Sequence, residues 1–591
     1  MFLAQATRLL LLLVLTMTTT SSSSSPLSTL SDIVQRHRCN SHACALYANG
    51  SFLPYHGAYK AWQHHVDWWQ RNLWNIHNNH PNNDNHHDDV VVAFLSNHST
   101  DFILSLLAVT HVAHDCQITL LPTRWTSSEM ATVLQTTTTT ANSSTTILVY
   151  GNPQLLQTAQ QAQTLLRHDT VLLKLPEFTI HFHVELQQQP QKQQPQQPQP
   201  VLLHQDEIDA WMQHLVTNDT PRREALILFT SGTSSGIAKG VRLSHEALLI
   251  QALAKLNPPC RYSSNTRMFL GPPLHHVGGL NNLLALWLAG GTWILPSSNT
   301  LNAMPDTSRH ANTLVMVPAM LSHWYTRTTT TTTTATAFTQ VQLLVLGGQA
   351  ASSALIQQCR PLLPNAKWVQ TYACTEAASS LTFYECTTTT TTTATNNNNK
   401  NDNVDCVGTP PAHVQLQLKH ARPPPHDMLV NQPYQTGIIG TRGPHVMNGY
   451  WVRGARAPKD DYSQKWFWTT DLGYFDAQGR LHFQGRLHHV VRTGGETVHC
   501  QAVERALQEI HGECAVFGLP DDYYGERVCA AFTNPTITLE LVKETCKKAG
   551  LAGYKHPKQV FVVHSLPRNS SGKVLYYKLV EQLGTPATSK L

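Results

Sequence analysis

Phe229-Thr230-Ser231-Gly232-Thr233-Ser234-Ser235-Gly236-Ile237-Ala238-Lys239-Gly240 is the stretch on which the reading of this 591-residue chain turns. An apolar run at 225–229 precedes it and reads as a buried strand. Ser244 follows it and caps an apolar-periodic helix that runs through residue 256. Small residues let backbone N–H groups approach anionic oxygens, the hydroxyls add donors, and Lys239 supplies a counter-charge. Three residues separate Gly232 from Gly236, and Lys239 does not follow directly, so this is not a Walker loop. A plain Ser/Gly linker has the same composition. The strand before the stretch and the capped helix after it point instead to a phosphate cradle.

Outward from the loop, short apolar runs at 90–95, 118–121, 268–270, 293–295, 314–317 and 343–346 read as buried strands alternating with helical patterns such as 102–112. That alternation implies an α/β fold of layered parallel sheets, with ligand sites where loops leave the carboxyl ends of strands. The last hundred or so residues change texture. They are richer in Lys and Glu and free of homopolymer tracts, with a helix expected at 503–510 and strands at 513–517, 528–532 and 560–563. The expected organisation is a leader (1–30), a large N-terminal α/β domain (31–487) and a small, mobile α+β C-terminal domain (488–591). Low-complexity tracts at 77–89, 136–140, 187–200, 328–334 and 387–399 cannot bury enough apolar surface to offset their ordering entropy. They read as loop insertions, which cost little extra closure entropy. The His-rich tract among them reads as a solvated loop rather than a metal site.

Composition excludes several classes. Hydrophobic residues make up 41%, enough for large cores, and the net charge of +5 is small for this length, so nucleic acid is not an expected partner. The 12 cysteines contain no Cys-x-x-Cys pair and do not form a disulfide framework. The apolar run after Arg8, at 9–15, is too short to span a bilayer, so no stable membrane span is expected. It reads as a secretory or plastid-directed leader. Ser589-Lys590-Leu591 competes with it as an address read by the peroxisomal import receptor. The expected location is the peroxisome, with a plastid as the alternative.

Further motifs follow the loop in order. They are Pro273-Leu274-His275-His276-Val277-Gly278-Gly279; Gly347-Gly348; Gln370-Thr371-Tyr372-Ala373-Cys374-Thr375-Glu376; Thr469-Thr470-Asp471-Leu472-Gly473; Gly485-Arg486; Arg492-Thr493-Gly494-Gly495-Glu496; and Pro567-Arg568-Asn569-Ser570-Ser571-Gly572-Lys573. Singly, a Thr-Asp or a Gly-Arg is a surface turn. In this order and spacing the set resembles the adenylate-forming (acyl-CoA synthetase) superfamily over residues 90–579. Segments flanking the motifs, at 244–256, 274–280, 317–320, 375–383 and 441–450, are similar to those of the plant-type o-succinylbenzoate–CoA ligase family.

The resemblance implies roles. Thr230, Ser231, Gly232, Thr233, Ser234, Ser235, Gly236 and Lys239 would cradle the phosphates of ATP. His276 would line the acyl pocket, and Gly348 would contact the acyl-adenylate. The Tyr372 ring would stack on adenine, the Thr375 hydroxyl would donate to phosphate, and Glu376 would hold Mg²⁺, which prefers hard oxygen ligands. Asp471 would accept from both ribose hydroxyls, and Arg486 would contact ribose or phosphate. His488 falls at the hinge position, and Gly494 and Gly495 would face the channel for coenzyme A. Lys573 would bridge the α-phosphate and the carboxylate of a small-molecule acid. Three positions depart from the superfamily pattern: the loop is one residue longer with Ala238 for Pro, Ala373 stands for Gly, and Thr470 stands for Gly. The expected activity is ATP-dependent acid–CoA ligation, with 2-succinylbenzoate as the acid and other aryl or fatty acids as alternatives. A nucleotide-binding homologue without ligase activity is a further alternative.

Overall fold

The buried strands and the two helices between them are written into runs of Leu, Ile, Val and Ala. His245–Ala254 and Val277–Leu288 are apolar almost all round, and a helix with no polar face has to be covered on every side. Each residue of the first except Glu246 is buried, and so is each of the second except Gly278. They lie together in one core with strand residues such as Val92, Phe94, Met268, Leu270 and Val345, which come from two different sheets.

A computed structural model gives the arrangement. It describes residues 29–30, 44–48, 51–79, 90–95, 100–112, 117–121, 127, 130–131, 134, 145–150, 153–166, 170–174, 205–217, 222–230, 239–295, 308–331, 337–348, 351, 353–386, 406–420, 429–430, 432–451, 462, 465–487, 489–493, 496–507, 510, 513–521, 523–568 and 574–584. The leader, the Ser589-Lys590-Leu591 tail and most of the low-complexity tracts lie outside the described residues.

The first sheet has eight strands, in the order Ser379–Glu385, Lys367–Cys374, Leu343–Leu346, Thr313–Met316, Arg267–Leu270, Thr292–Ile294, Cys44–Ala48, Ser51–Pro54. Its six central strands are parallel, and only the two outer pairs run antiparallel. The second has seven strands, in the order Gly449–Tyr450, Lys239–Ser244, Glu224–Thr230, Gln117–Leu120, Val90–Leu95, Thr145–Tyr150, Thr170–Lys174. It is parallel from Glu224–Thr230 onward. The two helices fill the space between these sheets. The outer face of the first sheet packs on Pro318–Thr331 and Ser353–Cys359, and that of the second on Pro153–Leu165.

Two features of the sheets depart from the sequence reading; apart from them, residues 328–331, read as part of a loop insertion, instead end the helix Pro318–Thr331, with Thr328 buried. The Ser244-capped helix is present, with Ser244 Oγ accepting from Ala247 N at 3.1 Å. However, the loop does not run straight into it. A strand, Lys239–Ser244, intervenes and pairs antiparallel with Glu224–Thr230, so the loop is the tip of a hairpin. Its Lys-Gly-Val-Arg-Leu-Ser alternation is the period of a strand, and it is too short to stand out beside the helical pattern that follows. The second departure is a wholly antiparallel five-stranded sheet, in the order Cys406–Gly408, Leu481–Arg486, Phe467–Phe475, Gly437–Arg442, Gln415–Lys419, inside what reads as a parallel α/β region.

The remaining sheet carries the small C-terminal unit. Glu496–His499, Val490–Thr493, Gly525–Phe532 and Cys514–Asp521 are antiparallel neighbours, and Gln559–Val562 joins Gly525–Phe532 in parallel. Among the described residues no helix is long and apolar enough to cross a membrane.

Gly408 shows how tightly the antiparallel sheet is joined to the eight-stranded one. Its φ is +86°, and a Cβ there would collide with the carbonyl of Phe383. Next to it, Phe383 and Thr409 exchange backbone hydrogen bonds of 3.0 and 3.1 Å. Gly408→Ala meets both backbone strain and a clash. It should destabilise the protein by more than ~1 kcal/mol, read as a lowered midpoint in thermal unfolding.

Candidate nucleotide site

Parallel strands deliver their loops to one edge. Arg267–Leu270 ends at Gly271 and leads to His275 and His276. Leu343–Leu346 ends at Gly347 and Gly348. Lys367–Cys374 ends at Thr375 and Glu376. Gly348 has a φ of +81°, which the chain needs to turn off the strand. A Cβ on Gly347 would press on Thr371 Cγ2 at 3.0 Å, so the Gly-Gly turn packs directly against the strand bearing Tyr372. His276 is the N-cap residue of Val277–Leu288, with extended backbone, and its ring lies 4.5 Å from that of His275.

The hairpin Glu224–Thr230/Lys239–Ser244 approaches from the other sheet. Thr230 and Lys239 are its closing pair, and Thr230 Oγ1 donates to Lys239 O at 3.4 Å. Gly449–Tyr450 lies alongside, pairing with Val241 and Arg242. Tyr450 stands between two of the expected site residues. Its hydroxyl donates to Glu376 Oε1 at 2.8 Å, and Lys239 Nζ sits 5.5 Å from its ring centroid. Burial first, and then the Glu376 charge, push the Tyr450 phenol up, so it stays a donor. Thr375–Ala377 is a single helical turn closed by Ala378 at φ +53°, and Met447 N donates to Glu376 O at 2.9 Å.

The antiparallel sheet contributes the third wall. Asp471 and Arg486 are cross-strand partners, with Arg486 Nε 3.3 Å from Asp471 Oδ1. Tyr372, from the first sheet, donates its hydroxyl to Asp471 Oδ2 at 2.8 Å. Burial, followed by the charge of Asp471, holds the Tyr372 phenol well above its usual range. The Tyr372 ring is nearly covered and leans on Phe483, 5.5 Å between centroids. Cys374 joins the two clusters. Burial and then the charges of Glu376 and Asp471 push its thiol up, with Arg486 opposing.

The structure therefore brings together Thr230, Lys239, Glu376, Tyr372, Asp471 and Arg486, with His276, Gly348 and Thr375 at the same strand edge. Ser231, Gly232, Thr233, Ser234, Ser235, Gly236, His488, Gly494, Gly495 and Lys573 lie outside the described residues. Their flanks are described. Leu487 N donates to Thr470 O at 2.7 Å before the hinge position, Thr493 pairs with Gly525, and the Arg568↔Val574 bridge closes the loop that carries Lys573. Sequence reasoning assigned no role to Tyr450, although Gly449-Tyr450 ends a segment it quoted. Nothing local marks that tyrosine as a partner of a carboxylate 74 residues away.

A divalent cation fits this donor set. Among the described residues there is no group of three or more His, Cys, Asp or Glu side chains. Mg²⁺ does not require one, because it keeps its waters and binds through one or two carboxylates plus substrate phosphates. Glu376 offers such a carboxylate, with one oxygen oriented by Tyr450.

A sequence model described as "AMP-binding enzyme" matches residues 84–451, more than half of the chain, and one described as "AMP-binding enzyme C-terminal domain" matches residues 503–573. The chain belongs to the AMP-binding enzyme family. Among curated AMP-binding enzymes it is 30% identical over 379 residues to a chloroplastic/peroxisomal 2-succinylbenzoate–CoA ligase of Arabidopsis thaliana. That match spans 59% of this chain and 65% of the relative, just under two thirds of its length. A 2-succinylbenzoate–CoA ligase of Bacillus subtilis is 28% identical over 380 residues, covering 63% of this chain and 70% of the relative. Among solved structures, o-succinylbenzoate CoA synthetase (MenE) from Bacillus subtilis, in complex with its acyl-adenylate intermediate, superposes with a TM-score of 0.68 at 20% identity. The superposition covers 94% of this chain and 98% of that one, and at that identity it speaks for the fold.

If Asp471 accepts from the ribose hydroxyls, as the resemblance implies, Asp471→Asn weakens those charge-assisted hydrogen bonds. AMP affinity should fall by roughly tenfold to a hundredfold, measured by calorimetry on the purified protein.

Proposed function

We propose that this protein is an AMP-forming acid–CoA ligase that activates 2-succinylbenzoate with ATP and passes it to coenzyme A. The observation that supports this best is that two clusters, Lys239–Tyr450–Glu376 and Tyr372–Asp471–Arg486, meet at one strand end, where Tyr372 and Glu376 lie four residues apart. The similarity to two 2-succinylbenzoate–CoA ligases, from a plant and a bacterium, supports the choice of acid.

The chemistry has two halves. A carboxylate is a poor acyl donor because its oxygen leaves badly. Attack of one carboxylate oxygen on the α-phosphorus of ATP forms the acyl-adenylate and expels pyrophosphate. The coenzyme A thiol then adds to the acyl carbonyl, loses its proton, and AMP leaves with the electrons of the broken C–O bond.

Asp471 has lone pairs beyond those taken by Tyr372 and Arg486, and in this reading it receives the ribose hydroxyls. Tyr372 and Arg486 hold the carboxylate in place for that task. The Tyr372 ring is nearly covered and packs on Phe483, so little of its face is left to stack on adenine. Lys239 and the hairpin tip offset charge building on phosphate oxygens. Glu376 would hold Mg²⁺, which when bound neutralises phosphate charge. Lys573 bridges the α-phosphate and the acid in the first half-reaction. In the second, residues 488–591 swing about His488 and bring Gly494 and Gly495 to the thiol channel, a hinge closure of established type.

We also read Ser589-Lys590-Leu591 as a peroxisomal address. The chloroplastic/peroxisomal designation of the Arabidopsis relative supports it, and relocation of a fluorescent fusion on loss of those three residues tests it.

Purified protein offered a panel of aryl and fatty acids should release pyrophosphate and form thioester fastest with 2-succinylbenzoate. Preference for another acid overturns the substrate, and no turnover on any acid overturns the activity. Lys573→Ala should reduce adenylation by at least about a hundredfold while sparing thioester formation from supplied acyl-adenylate. Equal loss of both halves refutes its role.

A further inference from the structure

Lys255 is 1% exposed, among the most deeply buried large side chains of the protein. It lies at the end of the Ser244-capped helix, and its ammonium reaches into the layer between the two sheets. Nζ donates to Asn281 Oδ1 at 2.6 Å, to Ser379 Oγ at 3.1 Å and to Gln251 O at 3.2 Å. Three donors meet three acceptors, from the Ser244-capped helix, the neighbouring helix Val277–Leu288 and the strand Ser379–Glu385. Among the described residues no carboxylate pairs with it. Burial draws the amine down to about 7, and the three acceptors work against that by favouring the ammonium.

The acceptors tie this lysine to the Glu376 turn. Ser379 is the third residue after Glu376. Gln251, whose carbonyl Lys255 holds, donates its own Nε2 to Ala377 O at 2.9 Å. Ala377 closes the turn that carries Thr375 and Glu376, and Ala378 beyond it takes a left-handed φ of +53°. The front of the turn is held by Met447 N on Glu376 O and by Tyr450 on the carboxylate itself. The back is held by Gln251, Ser379 and the ammonium between them. Asn281 is locked in its turn by donating Nδ2 to Leu248 O at 2.8 Å. The left-handed Ala378 and the buried polar clamp behind 377–379 restrict the backbone on the far side of Glu376.

We propose that Lys255 is a positioning residue for the Thr375–Ala377 turn: through Ser379 and Gln251 it sets the direction in which Glu376 faces a nucleotide's phosphates and their divalent cation. This rests on the reading of Glu376 as the carboxylate that meets that cation. It assigns no contact between Lys255 and any substrate.

Two variants separate positioning from simple core satisfaction. Lys255→Met removes the ammonium at similar volume but takes a donor away from three acceptors, two of them side-chain atoms. The triple variant Lys255→Met, Asn281→Leu, Ser379→Ala removes the amine and both side-chain acceptors, so it keeps the core filled if the single change does not fold. Calorimetry would follow ATP binding against Mg²⁺ concentration and AMP binding without Mg²⁺, with thermal unfolding in parallel. Both variants should weaken Mg²⁺-dependent ATP binding by roughly tenfold, since misplacement of a site group by about an ångström carries losses of up to a hundredfold. AMP binding should stay within about twofold, because Asp471, Tyr372 and Arg486 are anchored elsewhere. The Mg²⁺ concentration for half-maximal adenylation should rise in step, with attack of coenzyme A on supplied acyl-adenylate spared. Parent-like Mg²⁺-dependent ATP binding in the triple variant, or equal losses for ATP and AMP, overturns the inference. Parent protein that binds Mg²⁺-ATP yet turns over no acid overturns the ligase reading and leaves this comparison intact.

Discussion

Two helices that are apolar almost all round have to be covered on nearly every side, and the placement of the site follows from how that is done. His245–Ala254 and Val277–Leu288 are sandwiched between an eight-stranded and a seven-stranded sheet. The interface is large and apolar, so the relative placement of the two sheets has little freedom. The hairpin Glu224–Thr230/Lys239–Ser244 belongs to one sheet and Tyr372, Thr375 and Glu376 to the other. Their proximity is a consequence of the shared core, and the Gln251–Ala377 and Lys255–Ser379 hydrogen bonds cross that core from helix to site.

Polar groups at the rim of this layer and against the antiparallel sheet are paired with one another. Tyr450 spans Lys239 and Glu376, Asp471 joins Tyr372 to Arg486, and burial keeps both phenols protonated and therefore donors. A carboxylate oriented by a donor that does not itself ionise keeps its remaining lone pairs aimed, and that is the preorganisation that electrostatic catalysis of phosphoryl chemistry depends on. The C-terminal unit stands apart by contrast. It has cores of its own, around Val516 and Phe532 and around Phe517 and Leu579. The chain leaves the antiparallel sheet at Leu487 just before entering it.

Much of the large fold was legible in the chain. The strands at 90–95 and 343–346 stand where their apolar runs place them, because a run buried on both faces has no polar alternation to blur its ends. The strand Lys239–Ser244 was missed. Six residues of mixed polarity abut a stronger helical signal, and their strand identity comes from pairing with Glu224–Thr230. The antiparallel sheet was missed for a related reason: its strands are not continuous apolar runs but carry Gly, Thr, Gln, His or Arg among the apolar residues.

The amino-acid sequence by itself determined which chemistry could be assembled: a Ser/Thr/Gly loop with a lysine, a Tyr…Thr-Glu turn, an aspartate and an arginine fifteen residues apart, and a terminal Gly-Lys. Residue types and their order carry that information, because each task needs a particular donor, acceptor or charge. Tertiary structure alone decided who supports whom. Tyr450 on Glu376, Tyr372 on Asp471 and Lys255 behind the Glu376 turn are contacts across 74, 99 and 124 residues of chain, the last through Ser379. No local pattern encodes such pairings. They exist because two sheets close on two helices and bring distant backbones within hydrogen-bonding reach.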